Sequence, residues 1–141
     1  MRVGFTGTRH GMTDAKKATL WNILSGLQVD EFHHGDCVGA DDEAAKITSV
    51  CQGDCVIVCH PPLVESLRAF NKQHHQIRQS KTYLLRNCDI VNETDVLIAA
   101  PCDAKKKQTG GTWATIRYAR TQGKRVIILW PDGTQSEENA S

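Results

Sequence analysis

The sequence predicts a single α/β domain of three layers, a mainly parallel sheet of about five strands sandwiched between helices. Three observations carry that expectation. Short apolar runs alternate five times with segments of helical periodicity, the order that produces parallel strands joined by right-handed crossovers. Glycines at positions 7, 35 and 110 stand where a strand gives way to a helix. The 141 residues, 40% of them hydrophobic, suit one core and leave too little chain for two.

Each element has its own warrant. Arg2 to Thr6 reads as a strand stopped by Gly7. A helix follows from about Thr13 to Leu27, because Leu20, Ile23, Leu24 and Leu27 recur at i, i+3, i+4 and i+7. Thr13 can cap it, and Asp14 adds favourable charge to its first turn. Glu31 to His34 is a short strand ended by Gly35-Asp36. Ala40, Ala44, Ile47 and Cys51 then share a helical face, with Asp41, Asp42 and Glu43 at its start and Gly53 closing it.

Cys55 to Cys59 is continuously apolar, as in a strand covered on both faces, and His60-Pro61-Pro62 ends it. Leu63 to Lys81 is polar and shows no period. Leu84, Cys88 and Val91 suggest a helix from about Thr82 to Glu93, and Asp95 to Ala100 a further strand. Pro101 to Thr109 is a basic loop containing Lys105, Lys106 and Lys107, and Gly110 opens a last helix that stops at Gly123. Arg125 to Trp130 is the closing strand. Residues 1–131 are therefore expected to form the domain and residues 132–141 a flexible, frayed tail. Assembled in this order, the elements make a Rossmann-like unit.

Composition narrows the function. Seventeen Lys and Arg against sixteen Asp and Glu give a net charge of +1, so no nucleic-acid partner is expected, whereas a small anion needs only a local cluster of donors. No apolar run approaches the ~20 residues that span a bilayer, and the first residues lack the apolar stretch of a signal peptide. A cytoplasmic protein with no membrane partner is expected. The spacing Cys51-x3-Cys55-x3-Cys59 fits no zinc pattern. His33 and His34 point to opposite faces of a strand, and His74-His75 reads as a solvated pair. Neither a metal nor a cofactor is expected.

In such sheets ligands bind beyond the carboxyl ends of the strands. The loops there are Gly7-Thr8-Arg9-His10, His34 through Asp41, His60-Pro61-Pro62, and Pro101 through Trp113. Glycines let backbone approach a phosphate, and helix starts present N–H donors to it. Neither a dinucleotide fingerprint nor a P-loop is present. Arg9 could clamp a phosphate or stand solvated. Asp36 could accept from a ribose hydroxyl or simply shape a turn. Asp41 reads as a helix N-cap before it reads as a catalytic acid. Trp113 could stack on a base or pack in the core.

Gly4-Phe5-Thr6-Gly7-Thr8-Arg9, His34-Gly35-Asp36-Cys37-Val38-Gly39-Ala40-Asp41, Arg86-Asn87-x-x-Ile90-Val91, Asp95 through Pro101 and Gly110-Gly111-Thr112-Trp113 together resemble the SLOG superfamily, a group of SMF/DprA-like and LOG-like Rossmann domains. The resemblance runs from about Val3 to Pro131 and is strongest to a small stand-alone branch with H-G-x-x-G-A-D and G-G-T-W signatures. It implies a nucleotide-derived ligand, ADP-ribose-like by analogy with sensing modules of the superfamily, and a homodimer or higher homo-oligomer. The loops at the strand ends and the resemblance together give the expected ligand residues Gly7, Thr8, Arg9, Gly35, Asp36, Gly39, Asp41, His60, Arg86, Asn87, Pro101, Gly110, Gly111, Thr112 and Trp113.

LOG-like phosphoribohydrolases cleave the N-glycosidic bond of nucleoside monophosphates with an Arg and a Glu. Arg86 matches the Arg and is the one catalytic candidate. Thr115 stands where the Glu belongs, and Thr does not ionise near neutral pH. Asp36, Asp41 or Asp103 would have to substitute. Binding, for sensing or sequestration, is therefore favoured over hydrolysis.

Overall fold

The computed structural model describes residues 1–102 and 110–138. Strands β1 (Arg2–Gly7), β2 (Glu31–His34), β3 (Val56–Cys59), β4 (Gln76–Ile77), β5 (Val96–Ala100), β6 (Arg125–Leu129) and β7 (Gln135–Glu138) form one sheet. Four helices, α1 (Asp14–Ser25), α2 (Ala40–Cys51), α3 (Tyr83–Asn92) and α4 (Gly111–Thr121), complete the described chain with one 3-10 turn at Glu65–Leu67. None of the described helices is long and apolar enough to cross a membrane.

The strand order is β4-β3-β2-β1-β5-β6-β7, parallel throughout except for β7, which runs antiparallel to β6. From β1 the chain steps outward to β4, then crosses back to place β5 on the other side of β1. The order thus reverses between β1 and β5, and their carboxyl ends open the crevice where such sheets take ligands.

Alternation along the strands builds two cores. Val3, Phe5, Ile98 and Ala100 join Leu20 and Leu24 of α1 and Ala40 and Ala44 of α2 on one face. Leu97, Ala99, Val126 and Ile128 join Ile90, Trp113 and Ile116 on the other. Each large aliphatic or aromatic side chain so buried contributes about 2 kcal/mol of transfer free energy. The start of α1 follows the sequence reading, since Thr13 Oγ1 accepts the N–H of Lys16 at 3.2 Å.

Two strands were not expected. β4 has only two residues, both exposed, so no alternation marks it in the sequence. Backbone bonds flanking it hold it in place, from His75 N to Ile57 O and from Arg78 N to Cys59 O, each 2.8 Å. The frayed tail expected over 132–141 is also corrected, because Gln135–Glu138 is β7. A tight turn precedes it, closed by Gly133 N to Trp130 O at 2.9 Å and Trp130 N to Thr134 O at 2.8 Å. An edge strand needs no apolar face. Its carboxylates are held instead, Glu138 by Arg120 at 2.6 and 2.7 Å and Glu137 by Arg125.

Candidate functional site

The loops after β1, β2 and β5 are laced together before any ligand arrives. Thr8 donates its N–H to Ala100 O at 3.2 Å, and Thr8 O accepts from Ala40 N at 3.0 Å. Gly39, the N-cap residue of α2, lies at φ +96°, and a Cβ there would collide with the Arg9 carbonyl. Only glycine satisfies both demands.

This lacing frames a cavity of about 520 Å³ at the switch point. Its walls include eleven of the expected ligand residues: Gly7, Thr8, Arg9, Asp41, Arg86, Asn87, Pro101, Gly110, Gly111, Thr112 and Trp113. Gly35, Asp36, Gly39 and His60 do not line it. Asp103 and Lys105–Lys107 lie outside the described residues. Phe5, Cys37, Leu67 and Tyr83 also line the cavity, although nothing in their sequence context singles them out. Gly111 leaves room for the Tyr83 hydroxyl, which a Cβ there would overlap.

Arg86 is the centrepiece. It is 3% exposed, and its Nη1 donates to the Gly35 carbonyl and, at 3.2 Å, to the His60 carbonyl. Its Nη2 reaches Cys37 Sγ at 3.6 Å, while Nε has no partner among the described residues. Gly35 and His60 thus serve the site through their carbonyls.

Asp41 is not the helix cap, a position held by Gly39. It lies in the first turn of α2, where its Oδ2 accepts from Cys37 N at 3.3 Å and its Oδ1 has no partner among the described residues. Burial pushes its carboxyl up to about 6, against the opposing pull of the Arg86 guanidinium.

Asp36 is corrected from ribose reader to loop clamp. Fully buried, it accepts from Arg68 Nε at 2.7 Å and Asn71 N at 2.9 Å, and its carbonyl accepts from Ala69 N at 2.7 Å. It therefore holds residues 68–71 against the end of β2 and presents nothing to the cavity. Trp113 takes the packed one of its two readings. Its ring packs on Trp130 at 5.8 Å between centroids and is 1% exposed, so it forms a wall and no open stacking platform.

His60, expected at the ligand, turns its ring the other way, onto His33 at 2.8 Å. Burial holds it well below the usual imidazole range, at about 3. His34 is lowered by burial to about 4; its Nδ1 accepts from Asp36 N at 3.0 Å.

No family model and no curated protein matches the chain. Solved structures do match its fold. The molybdenum cofactor binding protein from the phototrophic bacterium Rippkaea orientalis superposes with a TM-score of 0.66 at 18% identity, over 90% of this chain and 74% of that one. The structural-genomics protein TM1055 gives 0.63 at 17%, over 92% and 74%. DNA processing protein A from Helicobacter pylori gives 0.63 at 17%, over 92% and 65%. The chain spans about half, 49%, of the Streptococcus pneumoniae protein of the same name, with a TM-score of 0.65.

The protein has a Rossmann-like fold, the one these solved structures share. At these identities the likeness is one of fold, and the neighbours differ in what they hold. The Helicobacter pylori protein is described by its single-stranded DNA binding mode. That finding overturns the expectation of no nucleic-acid partner. Net charge averages over a whole surface, whereas a strand needs only a local run of donors.

Proposed function

We propose that the cavity binds a nucleotide or nucleotide-derived molecule of the ADP-ribose kind, for sensing or sequestration. The observation that supports it is a set of buried polar atoms without partners among the described residues: Asp41 Oδ1, Arg86 Nε, Asn87 Nδ2 and Trp113 Nε1. All four belong to residues lining the one cavity. Each such orphan costs about 1–3 kcal/mol, which a ligand with a matching polar edge offsets. The volume falls in the ordinary range for small-molecule sites.

Charge gives the ligand a direction. The first turn of α2 carries Asp41, Asp42 and Glu43, which repel an anion, whereas the first turn of α4 has no acid and no side-chain cap. Phosphate therefore belongs at Gly110-Gly111-Thr112, with Arg9 at the rim, and the sugar or base end belongs deeper, at Arg86, Asn87 and Asp41. Calorimetry against nucleoside phosphates, ADP-ribose and its cyclic isomers should find a binder whose affinity falls at least tenfold in Arg86→Lys. Failure of every nucleotide would sink the reading, and binding of a single-stranded oligonucleotide alone would give the cavity to nucleic acid.

Cleavage of the N-glycosidic bond of a nucleoside monophosphate is a second reading, favoured by Asp41. A cavity carboxyl raised to about 6 suits proton transfer near neutrality. Thr115 is no substitute, since its hydroxyl donates to Gly111 O at 2.9 Å and it does not line the cavity. Release of free base that disappears in Asp41→Asn would select this reading; binding without release selects the first. Self-association draws support from Leu63, Val64, Leu84 and Leu85, all more than half exposed.

A further inference from the structure

We propose that His33, His60 and Glu93 form a binding site for a divalent transition-metal ion of the zinc class. The three come from separate elements: β2, the residue after β3, and the residue after α3. One ligand atom from each lies within 4.8 Å of the others. Both histidines are buried, and neither they nor Glu93 line the cavity described above.

The hydrogen bonds around the cluster leave the right lone pairs available. His33 Nε2 is 2.8 Å from Glu31 Oε1, and an ionised carboxylate only accepts, so the His33 proton sits on Nε2. That leaves His33 Nδ1 as a lone pair facing His60 Nε2 at 2.8 Å. A carboxylate behind a histidine is the outer-shell arrangement that fixes ring and tautomer in zinc sites. On the other flank, Arg78 Nε and Nη2 both donate to Glu93 Oε1, at 3.0 and 2.8 Å. Glu93 Oε2 remains; it lies 3.8 Å from His60 Nδ1, the nitrogen away from His33, so the His60 ring has to turn for one of its nitrogens to share an ion with both His33 and Glu93.

Size and charge fit the same ion. With Zn–N bonds of 2.0–2.1 Å, two ligand atoms on a tetrahedral ion stand about 3.4 Å apart, so the imidazole pair needs to open only slightly. Glu31 and Glu93 supply the two carboxylates next to the imidazole pair, with Arg78 on the outer oxygen of Glu93 and Arg86 on the His60 carbonyl. Nitrogen donors select zinc-like ions over magnesium or calcium. Two histidines and one glutamate leave a fourth position for water. Bound there, the ion would tie α3 to the sheet and fix His60, whose carbonyl accepts from Arg86.

The test is titration of metal-free protein with Co²⁺ and with Zn²⁺. One equivalent should bind with the visible spectrum of a nitrogen–oxygen site and without thiolate-to-metal charge transfer, which separates it from the six cysteines. Glu93→Gln and Glu31→Gln, at partly exposed positions, should each weaken binding about 10–100-fold with an unchanged far-UV spectrum. No stoichiometric binding, thiolate absorption, or affinity unaffected by Glu93→Gln and His60→Gln would each overturn the proposal.

Discussion

Replacing Asp41 with asparagine should make the protein more stable and the cavity less able to bind. The wild-type carboxyl is raised by burial from its ordinary 3.8 to about 6. Holding it ionised in the fold instead of the unfolded chain therefore costs about 3 kcal/mol at neutral pH. The sign follows from the raised value. The carboxyl's favourable contribution is present in full below 3.8, where both states are protonated, and is lost as the pH rises through about 6. Asparagine mimics the protonated form at every pH, so Asp41→Asn should exceed wild type by about 1–3 kcal/mol at pH 7. The gap should close below pH 4. Urea melts of both proteins at half-unit steps from pH 4 to 7.5 measure it, and the difference curve cancels every other titrating group. A variant less stable than wild type at pH 7, or a gap that does not change with pH, would refute the reasoning.

Other perturbations reach neighbouring parts of the same architecture. Arg68→Ala leaves the buried Asp36 carboxylate without its guanidinium, and should cost about 3 kcal/mol while increasing proteolysis of the 63–81 segment. Gly111→Ala should leave thermal stability nearly intact, because Tyr83, a partly exposed side chain, can swing its ring aside. It should still weaken nucleotide binding severalfold by calorimetry, and Tyr83→Ala in the same chain should restore part of the loss. His34 is held neutral, about 4 against an ordinary 6.5. Its contribution is thus lost as pH falls from 6.5 through 4, and His34→Gln should flatten that acid limb in denaturation curves.

The parts of the fold that were legible are those with a period. Leu20 and Leu24 mark α1, and Thr13 caps it where the sequence places the cap. α3 lies within a residue of its expected limits, but of the residues that suggest it only Val91 is buried, while Leu84 is exposed and Cys88 half-buried. β4 and β7 escaped because neither has a buried face to print an alternation on the sequence. The site divides in the same way. Topology alone carries Gly7 and Gly110 to one edge, because every loop after a parallel strand ends there, whereas Arg86, inside α3, is marked only by the family resemblance. Asp36 looked identical to a ligand residue. Only the arrival of Arg68, 32 residues later, reveals that its carboxylate is already engaged. His33 and Glu93 share no local spacing, so nothing short of the folded chain joins them to His60.

β7 has a consequence for the solubility of the molecule. Without it, the ladder groups of Val126–Leu129 would be an unpaired row beside an apolar strand, a template for another chain to extend. With it, the outermost row belongs to Gln135, Ser136, Glu137 and Glu138, whose charge and short length discourage such pairing. A chain cut after Pro131 should therefore keep its helices and lose its colloidal stability. The last described residues act as a selvedge, keeping the sheet from being woven into a neighbour.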